Sequence, residues 1–290
     1  MRITVIQAPY WLGNHELPMA AGPTRIVEAG AADALSRAGH EVELVAVEPG
    51  ELDRDDGYYS NEIKASFAVM RVIAQRVRDT VERGSFPLVL ATNCFNTVGI
   101  VAGGGEDVGV VWFDAHGDFS TTDTSLSGFL DGVGLSVLTG TGWKALRETV
   151  PGYRSVPEEN VVLVGLRDLD PDEEERLAAS AVTLVPPDAL DGGLETALDS
   201  LRERVADVHL HLDLDVLDRS EGMVNLYAVG GGPSEAAVAA AIRAVGERFR
   251  IRSAAMTAYD PSADTEGRVP PVAVRLLGEI AAPAQNAAPA

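Results

Sequence analysis

Short apolar segments alternate with longer amphipathic ones along nearly the whole chain. The short segments are mostly rich in valine, leucine and isoleucine and are bounded by turn residues, as buried strands are. These predicted strands are residues 2–7, 41–45, 86–91, 109–113, 161–165, 182–185, 208–212 and 252–256. Because strands separated by helices form a mostly parallel sheet with helices on both faces, the pattern predicts an α/β fold.

Between the predicted strands, apolar residues recur with helical spacing. The longest of these stretches, residues 61–83, has apolar side chains at Ile63, Phe67, Met70 and Val77. Further helices are predicted for residues 24–38, 132–138, 194–205, 233–249 and 269–280, and others begin near residues 97 and 172. The helix at 233–249 would have Pro233 in its first turn.

The stretches outside this alternation are few. The acidic residues 48–57 are predicted to form a surface connection, and the alanine- and proline-rich residues 281–290 a frayed, flexible tail. No internal repeat interrupts the pattern. We therefore predict that residues 1–290 form a single domain.

Composition narrows the class of protein. The formal net charge of -21 argues against a nucleic-acid partner, because phosphate binding needs a basic surface. No apolar segment reaches the length of a membrane span, and the single cysteine, Cys94, allows no intrachain disulfide. The expectation is a cytoplasmic protein that acts on a small molecule.

Acidic and histidine side chains cluster at the ends of two predicted strands. The first cluster, in VVWFDAHGDFS, contains Asp114, His116 and Asp118, and the second, in VHLHLDLDVLD, contains Asp213 and Asp215. Since side chains two residues apart on a strand share a face, each cluster is expected to point in one direction. Four carboxylates brought together would repel each other unless cations offset their charge, which predicts a metal site, most simply a binuclear one.

Other histidines and acids allow less specific interpretations. Acidic residues at strand ends can also cap helices, but two clusters after two apolar strands favour a metal site. His209 and His211 precede the second cluster on the same strand, and we interpret His209 as structural and His211 as a core residue or a support for the ligands. Trp112 and Phe113 are predicted to be core.

FDAHGD and HLDLDVLD together resemble the arginase and agmatinase (ureohydrolase) family. The resemblance extends through GPTRIVEAG, SGFLDG and GLRDLDPDE, in family order and with family spacing. It implies a three-layer α/β/α fold with a mostly parallel sheet, two manganese ions bridged by a hydroxide, and hydrolysis of a guanidino group to urea and an amine. It also implies a homo-oligomer, a trimer or a hexamer.

The resemblance implies a set of metal ligands in which one position departs from the family. Asp114 and Asp213 match the carboxylates that bridge both metals, and Cys94 stands where the family has a histidine. A thiolate suits zinc or iron better than manganese, so another divalent metal is an open alternative. The implied ligands are Cys94, Asp114, His116, Asp118, Asp213 and Asp215.

Among the implied catalytic and substrate-binding positions, some residues match the family and others depart from it. Asp118 matches the family's proton carrier, and Asp131 stands where arginases often have a histidine proposed to shuttle protons. Ala258 replaces the glutamate that would hold the guanidinium group, which argues against plain arginine as the substrate. The residues expected to contact substrate are Ser120, Ser127, Asp170 and Thr257.

Three functions fit these motifs. The first is a manganese-dependent hydrolase of an arginine derivative or another guanidino compound. The second is a related hydrolase of a formimino or amide C–N bond, which the absent glutamate would permit. The third is a pseudoenzyme that keeps the fold and serves a structural role.

Overall fold

The strands of a computed structural model, which describes residues 1–48, 61–105, 108–125 and 127–286, form one sheet. Every strand pair in it is parallel, and the strand order is β2-β1-β3-β8-β7-β4-β5-β6. The prediction of a mostly parallel sheet is thus confirmed. The strands are β1 (Arg2–Ala8), β2 (Glu41–Ala46), β3 (Phe86–Ala91), β4 (Gly109–Phe113), β5 (Val161–Val164), β6 (Thr183–Val185), β7 (Asp207–Asp213) and β8 (Arg250–Thr257).

Helices cover both faces of this sheet. The first, second, eighth, ninth and tenth helices share one hydrophobic core with it, and the third, fourth and fifth pack on the other face. Among the described residues, no helix has the length and apolar character needed to span a membrane. The helices are α1 (Gly22–Glu28), α2 (Ala31–Arg37), α3 (Asn61–Glu82), α4 (Thr97–Gly104), α5 (Gly134–Leu138), α6 (Lys144–Arg147), α7 (Pro171–Ala179), α8 (Leu190–Arg202), α9 (Glu235–Arg248) and α10 (Val269–Asn286).

Three helix predictions need correction. The helix predicted for residues 24–38 is divided into α1 and α2, because Gly30 between them has a left-handed backbone with φ 98°. Pro233 lies before α9 and not in its first turn, since Ser234 caps the helix by accepting a hydrogen bond from the Ala237 N–H. The last helix continues to Asn286, through part of the predicted tail. Residues 49–57 and 287–290 lie outside the described residues.

Alternation along β4 shows how the sheet divides the core. Val111 and Phe113 pack with the helices of one face, whereas Val110 and Trp112 pack with those of the other. Each of these side chains is at most 1% exposed. A parallel sheet buried on both faces explains why its central strands are almost continuously apolar.

Two glycines bring α4 into close contact with α3. A Cβ atom at Gly99 would lie 2.5 Å from the Met70 carbonyl oxygen, and one at Gly103 would lie 2.4 Å from that of Ala74. Neither distance is sterically allowed for a carbon atom. The apolar helix α4 can therefore be nearly fully buried next to the end of β3, where Cys94 lies.

Arg167 joins the loop after β5 to the segments that follow β7. Its guanidinium group donates hydrogen bonds of 2.9–3.2 Å to six backbone carbonyls. A planar group with five N–H donors can satisfy six carbonyls when one N–H is shared between two of them, and the three N–H donors of a lysine ammonium cannot. The acceptors are the carbonyls of Gly165, Asp215, Val216, Leu217, Val229 and Gly230.

We expect Arg167→Lys to lower the free energy of unfolding by about 2–4 kcal/mol, because several carbonyls lose a donor from a charged group. Urea unfolding followed by circular dichroism measures this change. Arg204→Lys is the matched control, since exposed Arg204 bonds to the Ser200 hydroxyl within the same helix region. Equal stability of the two variants would contradict the role of Arg167.

Candidate metal centre and active site

The candidate ligands lie at the carboxyl ends of β3, β7 and β4, three of the four central strands of the sheet. Asp114, His116 and Asp118 all follow Phe113, the last residue of β4, so strand alternation does not orient them as predicted. Asp213 ends β7, and Asp215 belongs to a short 3-10 turn after it. The side chains converge because adjacent parallel strands end at one edge of the sheet.

Asp114, His116 and Asp215 form the first group of candidate ligands. Their donor atoms all lie within 4.8 Å of one another. His116 Nδ1 is 3.3 Å from Asp114 Oδ1 and 3.4 Å from Asp215 Oδ2. The Asp114 carboxylate also accepts a 2.8 Å hydrogen bond from the His116 N–H, which holds the turn after β4.

A second group shares Asp114 with the first. It consists of Cys94, Asp114, His211 and Asp213, all buried, whose donor atoms again lie within 4.8 Å of one another. Cys94 Sγ is 2.8 Å from Asp213 Oδ2 and 3.9 Å from Asp114 Oδ2. The structure thus brings Cys94 to the ligands as the resemblance implied, and it adds His211.

Asp118 lies outside both groups but beside them on the cavity wall. Its backbone is left-handed, with φ 48°, and its side chain is buried. Its Oδ2 atom has no hydrogen-bond partner among the described residues. A buried carboxylate oxygen without a donor is costly, and a cation would satisfy it.

The turn that carries Asp118 is held by the start of α7. Glu173 Oε1 accepts hydrogen bonds from the backbone N–H of Phe119, at 2.7 Å, and of Ser120, at 3.2 Å. Arg176 donates to the Phe119 carbonyl and lies over its ring. Two side chains of one helix therefore set the backbone that places Asp118.

These residues surround a cavity of about 450 Å³. The described residues that line it include eight carboxylates and no lysine or arginine. Such a wall favours a cationic ligand. The carboxylates are Asp114, Asp118, Asp131, Asp168, Asp170, Glu173, Asp213 and Asp215.

The expected substrate contacts are only partly on this wall. Ser120, Ser127 and Asp170 line the cavity, the last two at its exposed rim. Thr257 is 1% exposed, contacts Cys94 Sγ and Asp213 Oδ2, both at 3.2 Å, and is not among the described residues that line the cavity. Ala258, next to it, does line the cavity.

Comparison with known proteins agrees with this geometry. A family model for the arginase family matches residues 1–282. An arginase of Bacillus caldovelox is 32% identical, with 96% of this chain and 97% of that protein aligned, and an arginase of Bacillus subtilis is 30% identical, with 95% and 96% aligned.

The chain belongs to the arginase family. The native structure of the Bacillus caldovelox arginase superposes with a TM-score of 0.86 at 30% identity and covers 96% of this chain and 97% of that one. Family membership makes the chain a hydrolase that acts on C–N bonds in linear amidines, of the arginase-like type that cleaves guanidino groups. Arginase family members depend on a binuclear metal centre, and the two ligand groups are a cluster that could hold metal.

Sequence reasoning missed several residues of this arginase-family site. Trp112 is a core residue, as predicted, but the prediction did not include the 3.1 Å hydrogen bond that its Nε1–H donates to Asp114 Oδ2. Asn225 donates to Asp215 Oδ2 at 3.1 Å, and no motif singles it out. The spacing of Glu173, three residues after Asp170 at a helix start, predicts a helix cap, whereas Glu173 instead binds the backbone of Phe119 and Ser120.

Without cations, the surroundings of the ligand groups favour protonated carboxyls. Burial, together with the neighbouring carboxylates, raises the pKa of Asp114, Asp118 and Asp213. Burial lowers the pKa of His116, but Asp215 and Asp114 outweigh it and raise that pKa overall. The donor set of carboxylates, imidazole and thiol fits divalent cations, which would neutralise these charges.

Asp131 is a buried carboxyl at the edge of the same cavity. It accepts hydrogen bonds from the Asn93 side-chain amide, at 2.6 Å, and from the Phe95 N–H, at 3.3 Å. Burial nevertheless raises the pKa of Asp131 to about 7. A carboxyl with this pKa can exchange a proton near neutral pH.

We expect the stability of chelator-treated protein to fall as the pH rises from 5 to 7. In this range Asp131 keeps its proton in the folded state and has lost it in the unfolded state, so folding binds the proton and weakens as pH rises. Between pH 5 and 7, Asp131 alone lowers the free energy of unfolding by about 2–3 kcal/mol, which corresponds to a decrease in Tm of about 5 °C. Differential scanning calorimetry measures it.

Added divalent cations should remove this dependence, because they favour the ionised carboxylates. A metal-free protein whose Tm is constant or rises between pH 5 and 7 would contradict the raised carboxyl pKa values.

Proposed function

We propose that this chain hydrolyses a small guanidino compound to urea and an amine with two divalent cations, manganese by family resemblance. Cys94, Asp114, His116, Asp118, Asp213 and Asp215 would hold them. The observation that carries the proposal is the pair of ligand groups that share Asp114 at the ends of the central strands. By the same resemblance we propose a trimer or hexamer.

When bound, the cations supply Lewis-acid activation of water and offset the carboxylate charge. The acidic cavity attracts the guanidinium cation and lets it approach the strand ends. Hydrolysis breaks one C–N bond and adds the elements of water across it. The leaving amine then needs a proton, and we propose that Asp118, which lines the cavity, passes it on from the attacking water.

We propose that Asp131 is a second residue, besides Asp118, that holds a proton during the reaction. Asn93 and Phe95 fix its carboxylate, and Asn93 in turn accepts a 2.9 Å hydrogen bond from the Leu12 N–H. The carboxyl is therefore oriented from two loops at once. This preorganisation supports a role in proton transfer.

Ala258 is the residue that most favours the alternative functions, whereas the acidic cavity wall favours a guanidino substrate. It is 5% exposed and lines the cavity where the resemblance implies a glutamate. A formimino or amide compound needs no such acid, and a pseudoenzyme needs no substrate at all. An arginine derivative whose guanidino group is held by the other carboxylates fits the acidic wall best.

The first experiment measures metal content and products together. Protein from manganese-supplemented cells should contain about two cations per chain and release urea from at least one member of a panel of guanidino compounds. Formamide from a formimino compound, without urea, would support the second function. Fewer than one cation and no product would support the pseudoenzyme.

Asp131→Asn should lower kcat about 100-fold or more, because the amide cannot carry the proton. The metal content should be unchanged, since Asp131 belongs to neither ligand group. Steady-state urea release from the best panel substrate measures the effect, with Asp123→Asn in the exposed part of the same loop as the control. Equal kcat values for the two variants would rule out the proton role.

A further inference from the structure

His211 is buried within the second ligand group. It lies on β7 two residues before Asp213 and is 0% exposed. One of its ring nitrogens is within 4.8 Å of Cys94 Sγ and of carboxylate oxygens of Asp114 and Asp213. One thiol, one imidazole and two carboxylates are a donor set typical of a transition-metal ion.

The ring has a defined orientation. Nδ1 is 2.7 Å from the Thr97 hydroxyl, and the ring stacks on Trp112 with centroids 3.7 Å apart. Nε2 is on the side of Thr257 Oγ1, at 3.3 Å. In the tautomer that donates Nδ1–H to Thr97, Nε2 keeps a lone pair toward the ligand group, which is the arrangement of a metal-binding histidine.

His211 Nε2 contacts the same hydroxyl group as two of the candidate ligands. Thr257 Oγ1 is 3.2 Å from Cys94 Sγ and 3.2 Å from Asp213 Oδ2, as well as 3.3 Å from His211 Nε2. The three donor atoms therefore contact the same hydroxyl group. Because the donor atoms of this ligand group lie within 4.8 Å of one another, one cation can contact all of them.

His209 shows that a buried histidine on β7 is not by that alone a candidate metal ligand. It is also 0% exposed, and its Nδ1 is 2.8 Å from the Ser253 hydroxyl. Its Nε2 has no hydrogen-bond partner among the described residues, and it belongs to neither ligand group. His211 therefore has a thiol and two carboxylates near its ring, whereas His209 has no such neighbours in either ligand group.

We propose that His211 Nε2 is a metal ligand that shares one cation with Cys94, Asp114 and Asp213. The inference rests on the proposed function and deepens it. His211 supplies from β7 an imidazole for the cation that Cys94 approaches from β3. The position then has sulfur, nitrogen and oxygen donors, which suit Zn²⁺ or Co²⁺ better than Mn²⁺. The Cys94 thiol gives up its proton to solvent when the cation binds.

The direct test is histidine NMR on the wild-type protein. Metal-free protein labelled with ¹⁵N-histidine is titrated with Zn²⁺, and long-range ¹H–¹⁵N spectra resolve the ring nitrogens of its five histidines. His211 Nε2 should move to the shift of a zinc-bound nitrogen, whereas His209 should not move. The signals are assigned with His211→Asn and His209→Asn.

The two variants also give an affinity test. Co²⁺ titration in competition with a chelator should show that His211→Asn weakens one of the two binding events by about 100-fold or more and reduces the visible cobalt absorption. His209→Asn, the matched control for loss of a buried histidine from β7, should keep both events.

Failure of this inference is distinguishable from failure of the proposed function. Wild-type protein that binds two cations and releases urea, with His211 nitrogen shifts unchanged by Zn²⁺, would overturn only the role of His211. Wild-type protein that binds no cation would overturn the proposed function as well.

Discussion

Repulsion among buried carboxylates is the constraint on which the rest of this structure depends. Asp114, Asp118, Asp213 and Asp215 are each at most 5% exposed and lie at one edge of one sheet. Among the described residues, His116 and Arg167 are positive groups that interact with these carboxylates, and two such groups cannot balance four acids. The apolar core on both faces of the sheet must supply the free energy that holds them together until cations do.

The sheet order determines which carboxylates meet. The strands β3, β8, β7 and β4 are neighbours, although they are far apart in the sequence. Cys94 and Asp213 consequently approach each other across β8, with Thr257 between them. Two groups that share Asp114 result from this order, and a different order of the same strands would have produced separate sites.

Much of this could be predicted from the sequence, because strands and acidic strand ends are local features. All eight predicted strands are present, and five of the six candidate ligands named from motifs, all but Asp118, lie in the two groups. Side-chain direction was less accessible at Asp118, which depends on a left-handed turn held by Glu173, a tertiary contact that residue spacing does not contain. His211 lies two residues before Asp213 on β7, so strand alternation already puts both side chains on one face, but spacing alone does not show how close its ring comes to Cys94 and Asp114.

The departures from the family pattern at positions 94 and 258 have different physical meaning. Cys94 puts a thiol where the resemblance implies an imidazole and lies 2.8 Å from Asp213, and a thiolate is also a donor that divalent cations accept. Ala258 removes a negative charge from the cavity wall and leaves the eight carboxylates that line it. The first change bears on which cation binds, and the second on where a substrate's positive charge is held. Metal preference and substrate preference can therefore have diverged independently on one scaffold.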